Sequence, residues 1–530
     1  MAATEARDVS EYRLLVHDTA DQIFRIPWPP TRQGFIDSFI TPYADCAADA
    51  YCFCVNCSGT LMFYNSDVGE MYGRDRTRFW VPSALRQHEV IKQLCAAGDD
   101  PPRLAVEEAR AAGMDCFLRL RMNDLHDRLY LDARLDRPGN SEGEPCYCLT
   151  DFKRDHAELL LADPWASHPK YSRAYWESVA FNYALDSVRQ MYYRLAEELV
   201  TRYEPDGLQL DFLRWPIYFK EHEAWAQRHV LTDLVRSISD CVKQVSKRSG
   251  RKIHLIADVP ETVESALRAG IDTPTWLSEG LVDVVTLSRG YAPFSSPWAE
   301  VSDLAGRAGI PTIACFNHGK ISGWGRGEDR ELGLQGLRGA VYRSLAAGVQ
   351  GIFLFNYFYR TPDYDGTLFG EVEGMGFARD LVDQAALASS TRTYELTRGM
   401  DAVNQHLYGH APAAWKGQIP LTIGAGGRHI VTFDVQAVKG MAARLWLKVC
   451  NAHFDDTIEF QWNDHPLTPD SEAWPGARLF DRFEYWFDVP PQALRDGENE
   501  LAIHLKHRDS RLDPFVALDG GRLTLKGRQP

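Results

Sequence analysis

The sequence predicts a mixed α/β protein: a closed parallel (β/α)8 barrel followed by an antiparallel β-sandwich. Three observations lead there. Eight short apolar runs lie between residue 11 and about residue 360. Amphipathic helical text, without hairpin signals, separates them. Past about residue 415 the text changes to short alternating strands punctuated by Gly, Pro and Asp. The expected division is a barrel over residues 1–400 and a sandwich over residues 401–530.

The first run is YRLLVHD (12–18), followed by the helix-like GFIDSFITPYA. The second is AYCFCVN (50–56), then a polar stretch and the helical SALRQHEVIKQLCAA and LAVEEARAAG. DCFLRLRMND (115–124) is the third, and strongly helical text runs from Ala174 to Tyr203 behind it. GLQLDFLRW (207–215) and KIHLIADV (252–259) are the fourth and fifth, with a long helix between them. VDVVTLSRG (282–290), PTIACFNHG (311–319) and QGIFLFNYF (350–358) complete the set. An open doubly wound sheet is the alternative, but eight repeats over this length fit a TIM-type barrel better. No Gly-rich phosphate loop follows the first strand, which removes the usual dinucleotide reading.

Composition narrows the function. With 45% apolar and 25% charged residues among 530, the chain reads as an ordinary globular protein. A net charge of −15 argues against nucleic acid, which calls for a basic surplus. No apolar run is long enough to span a membrane. MAATEARDVSEY lacks the charged-then-apolar pattern of a secretory peptide. The eleven cysteines include Cys52, Cys54 and Cys57, whose spacing fits no common zinc pattern. They read as buried free thiols, which favours a reducing, cytoplasmic setting. A homo-oligomer is compatible with all of this.

In barrel enzymes the chemistry collects at the C-terminal ends of the strands. Those positions here carry His17 and Asp18, Asn56, Asn123 with Asp124 and His126, and Asp211 with Arg214. Asp258, Arg289, Asn317 with His318, and Asn356 with Tyr357 follow on the later strands. Nearly every strand thus ends in a group able to hydrogen-bond a hydroxyl. Strand parity puts Gln209 with Asp211 on one face, and Arg119 and Arg121 with Asn123 on another. His254 and Asp258 share a face in the same way. If these faces point inward, Arg121 stands near Asp211 and keeps it ionised. The plainer reading is a buried structural ion pair.

EPDGLQLDFLRWP (204–216) resembles the fourth-strand signature of glycoside-hydrolase-type barrels, with Asp206-Gly207 ahead of Asp211. RMNDLHD (121–127), IDTPTWLSEGLVDVV (271–285) and GVQGIFLFN (348–356) resemble bacterial proteins of glycosyl-hydrolase type. ALRDGENELAIHLK is similar to text in galactose-binding-like sandwiches appended to glycosidases. The resemblance implies a glycosidase acting on an oligo- or polysaccharide, with Asp211 as nucleophile or base. Many relatives are acidic where this chain has Gln209, so the second carboxylate is sought elsewhere. Asp258 is the first choice for the proton donor and Asp124 the second, with Glu371 and Glu373 able to swing in after the eighth strand. Asp258 can also be read as a helix N-cap.

Arg121, Asn123, His126, Arg214, Asn317, His318 and Asn356 are the expected hydroxyl-binding and charge-tuning groups. Trp215, Trp298 and Trp324 are candidate stacking platforms. No cofactor is implied. His17-Asp18 stands where a metal-dependent amidohydrolase barrel has HxH, so no metal is expected. No G-x-S-x-G elbow occurs. The rival reading is a non-catalytic carbohydrate-binding or scaffold protein that kept the barrel.

Overall fold

The fold was analysed in a computed structural model. It describes residues 6–74, 76, 79, 82–128, 150–288, 297–317, 330–359, 371–372, 375–397, 417–436, 439–470 and 482–527. The eight expected strands are present: β1 Leu14–Thr19, β2 Ala50–Cys54, β3 Asp115–Arg121, β4 Gly207–Asp211, β5 His254–Pro260, β6 Val284–Ser288, β7 Thr312–Asn317 and β8 Gly351–Phe355. They pair in chain order and close, β8 beside β1. All eight are buried nearly throughout, as parallel strands covered by helices must be.

The register decides which side chains meet inside. Followed once round the barrel, it shifts from residue 17 to residue 9 of the first chain segment. That shift is the shear of a TIM barrel, in which alternate strands supply each interior layer. Leu15, Phe117, Ile256 and Ile313, from odd strands, make an apolar floor. Cys52, Gln209, Thr286 and Phe353 come next, from even strands. His17, Arg119, Asp258 and Cys315 form the layer above, then Cys54, Asp211, Ser288 and Phe355. The interior therefore turns from apolar to polar toward the C-terminal ends.

The text from Ala174 to Tyr203 is not one helix. A short turn at Arg173–Glu177 is followed by irregular backbone, and the helix proper is Asp186–Tyr203. Tertiary bonds intervene: Tyr183 N donates to Tyr218 O at 2.9 Å, and Asn182 folds its side-chain oxygen onto Ala184 N at 3.0 Å. The apolar residues here roof the barrel mouth, Trp176 and Val179 packing with Leu125 and Trp215.

The C-terminal region is a sandwich of two antiparallel sheets. Strands Arg392–Glu395, Phe515–Lys526, Ala442–Cys450 and Arg482–Val489 lie side by side, with Leu421–Gly424 also on Phe515–Lys526. Arg428–Val435, Gly497–His507, Thr457–Trp462 and His465–Leu467 make the other sheet. Alternate residues such as Leu445, Leu447, Leu501 and Ile503 fill the core. Arg392–Glu395 joins this sheet ahead of the boundary expected at residue 400. That strand is four residues long and carries no turn signal before it, so its text did not stand out.

Barrel and sandwich are tightly joined. Gly339 in the helix Arg330–Ala346 lies against the backbone of Thr393, where a Cβ would collide with the carbonyl oxygen. Buried Arg392 donates to backbone carbonyls of Leu387 and Gln436, its guanidinium 4.8 Å from the Tyr342 ring centroid. Among the described residues no helix is long and apolar enough to cross a membrane. Gly339→Val should therefore cost roughly 1–3 kcal/mol and lower the melting temperature. Calorimetry showing an unchanged transition would contradict this packing.

Candidate functional site

Arg119 is the hub of the polar layers. Its Nη2 lies 2.8 Å from Asp211 Oδ2 and 2.7 Å from Asp258 Oδ2, and its Nε donates to the same Asp258 oxygen at 3.0 Å. Gln209, one layer below, donates from Nε2 to Asp258 Oδ1 at 2.7 Å. Phe353 and Phe355 flank the guanidinium, with ring centroids 5.8 and 4.7 Å away. The contact with Asp211 is a close charge pair without an aligned hydrogen bond, since Oδ2 has no geometric donor. Oδ1 of Asp211 accepts from Leu213 N at 2.9 Å and Arg214 N at 2.8 Å. The chain turns out of β4 around this carboxylate.

This corrects the expected partner. Arg121 is register-paired with Asp211, yet the ion pair belongs to Arg119. The shear explains the difference: Arg119 shares Asp258's layer and lies just under Asp211, whereas Arg121 is a layer higher. The two aspartates differ in setting. Burial raises Asp258 to about 6, with Arg119 opposing and the Asp211 charge adding to the rise. Asp211 and Asp258 both hang from one nitrogen, so those oxygens are no farther apart than the sum of its two contacts. The N-cap reading of Asp258 does not hold, because Thr262 caps the next helix, Val263–Arg268.

A second cluster stands where β3 ends. Asp124 Oδ2 receives Arg121 Nη1 at 2.8 Å, while Oδ1 is 2.6 Å from His126 Nδ1 and accepts His126 N at 3.0 Å. Arg214 Nη2 lies 2.6 Å from His126 Nε2. A guanidinium only donates, so His126 carries its proton on Nδ1 and accepts at Nε2. Burial and Arg214 hold this imidazole below its usual range, against the pull of Asp124. Burial would raise Asp124, but His126 and Arg121 outweigh it and keep it well below the ordinary carboxylate range. Asp124 is thus an ionised anchor and no proton donor.

Asn123 and Trp215 lie elsewhere than hydroxyl binding requires. Asn123 is fully buried, donating to Ile217 O at 2.5 Å and Phe181 O at 3.3 Å, so it ties the roof to β3. Trp215 is only 6% exposed, its ring 4.7 Å from Trp176 between centroids, so its face is covered. Trp298 is buried against Phe316. Asp18 points outward and pairs with buried Arg25 at 2.9 Å.

His17 faces inward beside Asn356; burial and the Arg119 charge hold it well below its usual range. Asn356 adopts φ 61° and is half-buried, as are His126 and Arg214. Asn317 is buried at the end of β7. His318, Arg289, Trp324, Glu373 and the side chain of Glu371 lie outside the described residues.

Arg119, Gln209 and Cys315 are site residues that parity alone did not single out. Cys315 is partly exposed, faces Asp258 and bonds Ser288, and burial raises its thiol. Both Arg119 and Cys315 share Asp258's layer, which the observed register identifies. Arg119 Nη1, Gln209 Oε1 and Thr286 Oγ1 are buried without a hydrogen-bond partner in the protein. Unpartnered buried polar atoms are uncommon, and three on adjacent inward-facing layers mark the place where the barrel has polar capacity to spend on something else.

No family model matches the chain, and no curated protein does. Distant likenesses exist among solved structures. The PgaB (BpsB) glycoside hydrolase domain from Bordetella bronchiseptica is 12% identical, over 70% of this chain and 98% of that one, with a TM-score of 0.39. An Anoxybacillus alpha-amylase is 11% identical over 95% and 100%, at 0.38. A Paenibacillus sp. cycloisomaltooligosaccharide glucanotransferase is 11% identical over 98% of this chain, at 0.33, and this chain spans only 58% of its length. The barrel itself rests on the strand pairing, and the site on its geometry.

Removing Arg119 leaves two buried carboxylates without their cation. Arg119→Leu should lose roughly 3–5 kcal/mol at pH 8 and less at pH 5, where Asp258 takes up a proton. Urea unfolding at the two pH values measures this; an equal loss at both would contradict the shared ion pair.

Proposed function

We propose that the chain is a glycoside hydrolase in which Asp211 is the nucleophile and Asp258 the proton donor. One observation carries this reading: two carboxylates at neighbouring strand ends share Arg119 while their surroundings treat them differently. Asp211 accepts two backbone N–H groups, whereas Asp258 accepts from Gln209 and Arg119 and is raised by burial to about 6, as a proton donor requires. Oxygens held at 2.8 and 2.7 Å from one nitrogen cannot be as far apart as the ~6.5–9.5 Å of inverting pairs, which supports a retaining reaction.

In the first step Asp211 Oδ2 attacks the anomeric carbon and the bond to the leaving oxygen breaks. Asp258 gives that oxygen its proton. In the second step Asp258 takes a proton from water, whose oxygen displaces Asp211 and restores both carboxyls. The two backbone N–H groups on Oδ1 and the Arg119 cation stabilise the carboxylate that leaves. Arg214, His126, Asn317 and Asn356, around the mouth, would orient hydroxyls. Arg121 and Asp124 hold His126, and through it Arg214, in place. Oligo- or polysaccharide is the proposed substrate, and no nucleic acid or cofactor enters the scheme.

The second reading, a carbohydrate-binding protein without turnover, is favoured by a specific observation: Asp211 and Asp258 have no more than about 2% of their side chains exposed. Hydrolysis of aryl glycosides and oligosaccharides separates the two. Asp211→Asn should fold normally and lose activity by about 10³-fold or more; full turnover in the variant would remove Asp211 from the mechanism. The donor must be protonated, so activity should fall as pH rises through about 6. That limb should vanish in Asp258→Asn, and a limb unchanged by the substitution would assign it to another group.

A further inference from the structure

An indole has a large apolar face that folding ordinarily covers. Among the described residues three tryptophans leave more than half of theirs in water: Trp28 at 53%, Trp165 at 54% and Trp225 at 51%. They are far apart in sequence, yet each lies in a segment that follows a barrel strand. Trp28 follows β1, Trp165 lies between β3 and its helix, and Trp225 opens the helix Ala224–Ser249 after β4. All three stand at the C-terminal end of the barrel, where Asp211 and Asp258 are. The other described barrel tryptophans, Trp176, Trp215, Trp276 and Trp298, are buried.

Trp225 also borders a groove of about 380 Å³ with Glu221, Glu264 and Arg268. Arg228 fixes the ring: its guanidinium sits 5.4 Å from the ring centroid, and Nη1 donates to Trp225 O at 2.7 Å. Glu264 and Arg268 face each other across one helical turn at 2.7 Å. A held, half-exposed indole beside carboxylate and guanidinium groups suits a sugar ring, which offers C–H bonds to the indole and hydroxyls to the charges. Two carboxylates in the groove and a net charge of −15 disfavour a polyanion.

We propose that this rim binds a neutral glycan chain, with the Trp225 groove as an outlying subsite, so that the site's substrate is a polymer lying across the barrel mouth. The polymer assignment rests on the glycosidase reading; binding at the rim does not. The test is native electrophoresis of the full chain through gels containing dextran, galactomannan, hydroxyethylcellulose or xylan, with aryl glycoside hydrolysis measured beside it. Wild type should be retarded in at least one gel, and Trp225→Ala should weaken that retardation by roughly 5–10-fold while keeping wild-type aryl glycoside turnover. Absence of retardation in every gel, unchanged retardation in the variant, or an equal loss on the aryl substrate would each overturn the inference. Retardation without hydrolysis of any glycoside would instead sink the glycosidase reading and leave the rim as a binding surface.

Discussion

The buried guanidinium of Arg119 is what the upper half of the barrel is organised around. A cation at that depth is costly alone, and so is either aspartate. Together they form a compensated unit: two carboxylates on Arg119, one of them also on Gln209, and two phenylalanine rings flanking the cation. Burial opposes the arginine's charge, but Asp211 and Asp258 hold its pKa above the usual value. The apolar floor below it supplies the cohesion that lets such a unit exist.

That arrangement extends outward in steps. Asp124 holds His126, and His126 accepts from Arg214, whose backbone N–H in turn holds Asp211. The carboxylate at the end of β4 is therefore fixed from below by a side chain and from above by the chain's own turn. Asn123 and the Trp176–Trp215 contact press the roof segment onto this constellation. With its proton taken up near pH 6, Asp258 favours the folded state more strongly in mild acid, and that contribution is lost as pH rises through about 6.

Much of this was legible in the sequence because the barrel writes itself as a repeat. Eight apolar runs became eight strands, and period-two parity grouped Gln209 with Asp211 and Arg119 with Arg121 on shared faces, which the closed barrel turns inward. Parity could not choose between Arg119 and Arg121. Contacts inside a barrel follow layers of alternate strands, and the register needed to number those layers comes only from closing the ring. The roof from Ala174 to Phe181 misled for a related reason: its apolar spacing is helical, but tertiary hydrogen bonds claimed the backbone. Trp215 sits next to the site in sequence and was drawn under that roof, while Trp28, Trp165 and Trp225 carried no motif to mark them.

The central claim is that Asp211 attacks carbon while Asp258 handles the proton. Incubation with a panel of activated 2-deoxy-2-fluoroglycosides, followed by peptide mass spectrometry, tests it directly. The account predicts a single glycosyl adduct on Asp211, formed by wild type and by no Asp211 variant. An adduct on another residue, or none from a protein that hydrolyses the parent glycosides, would contradict it.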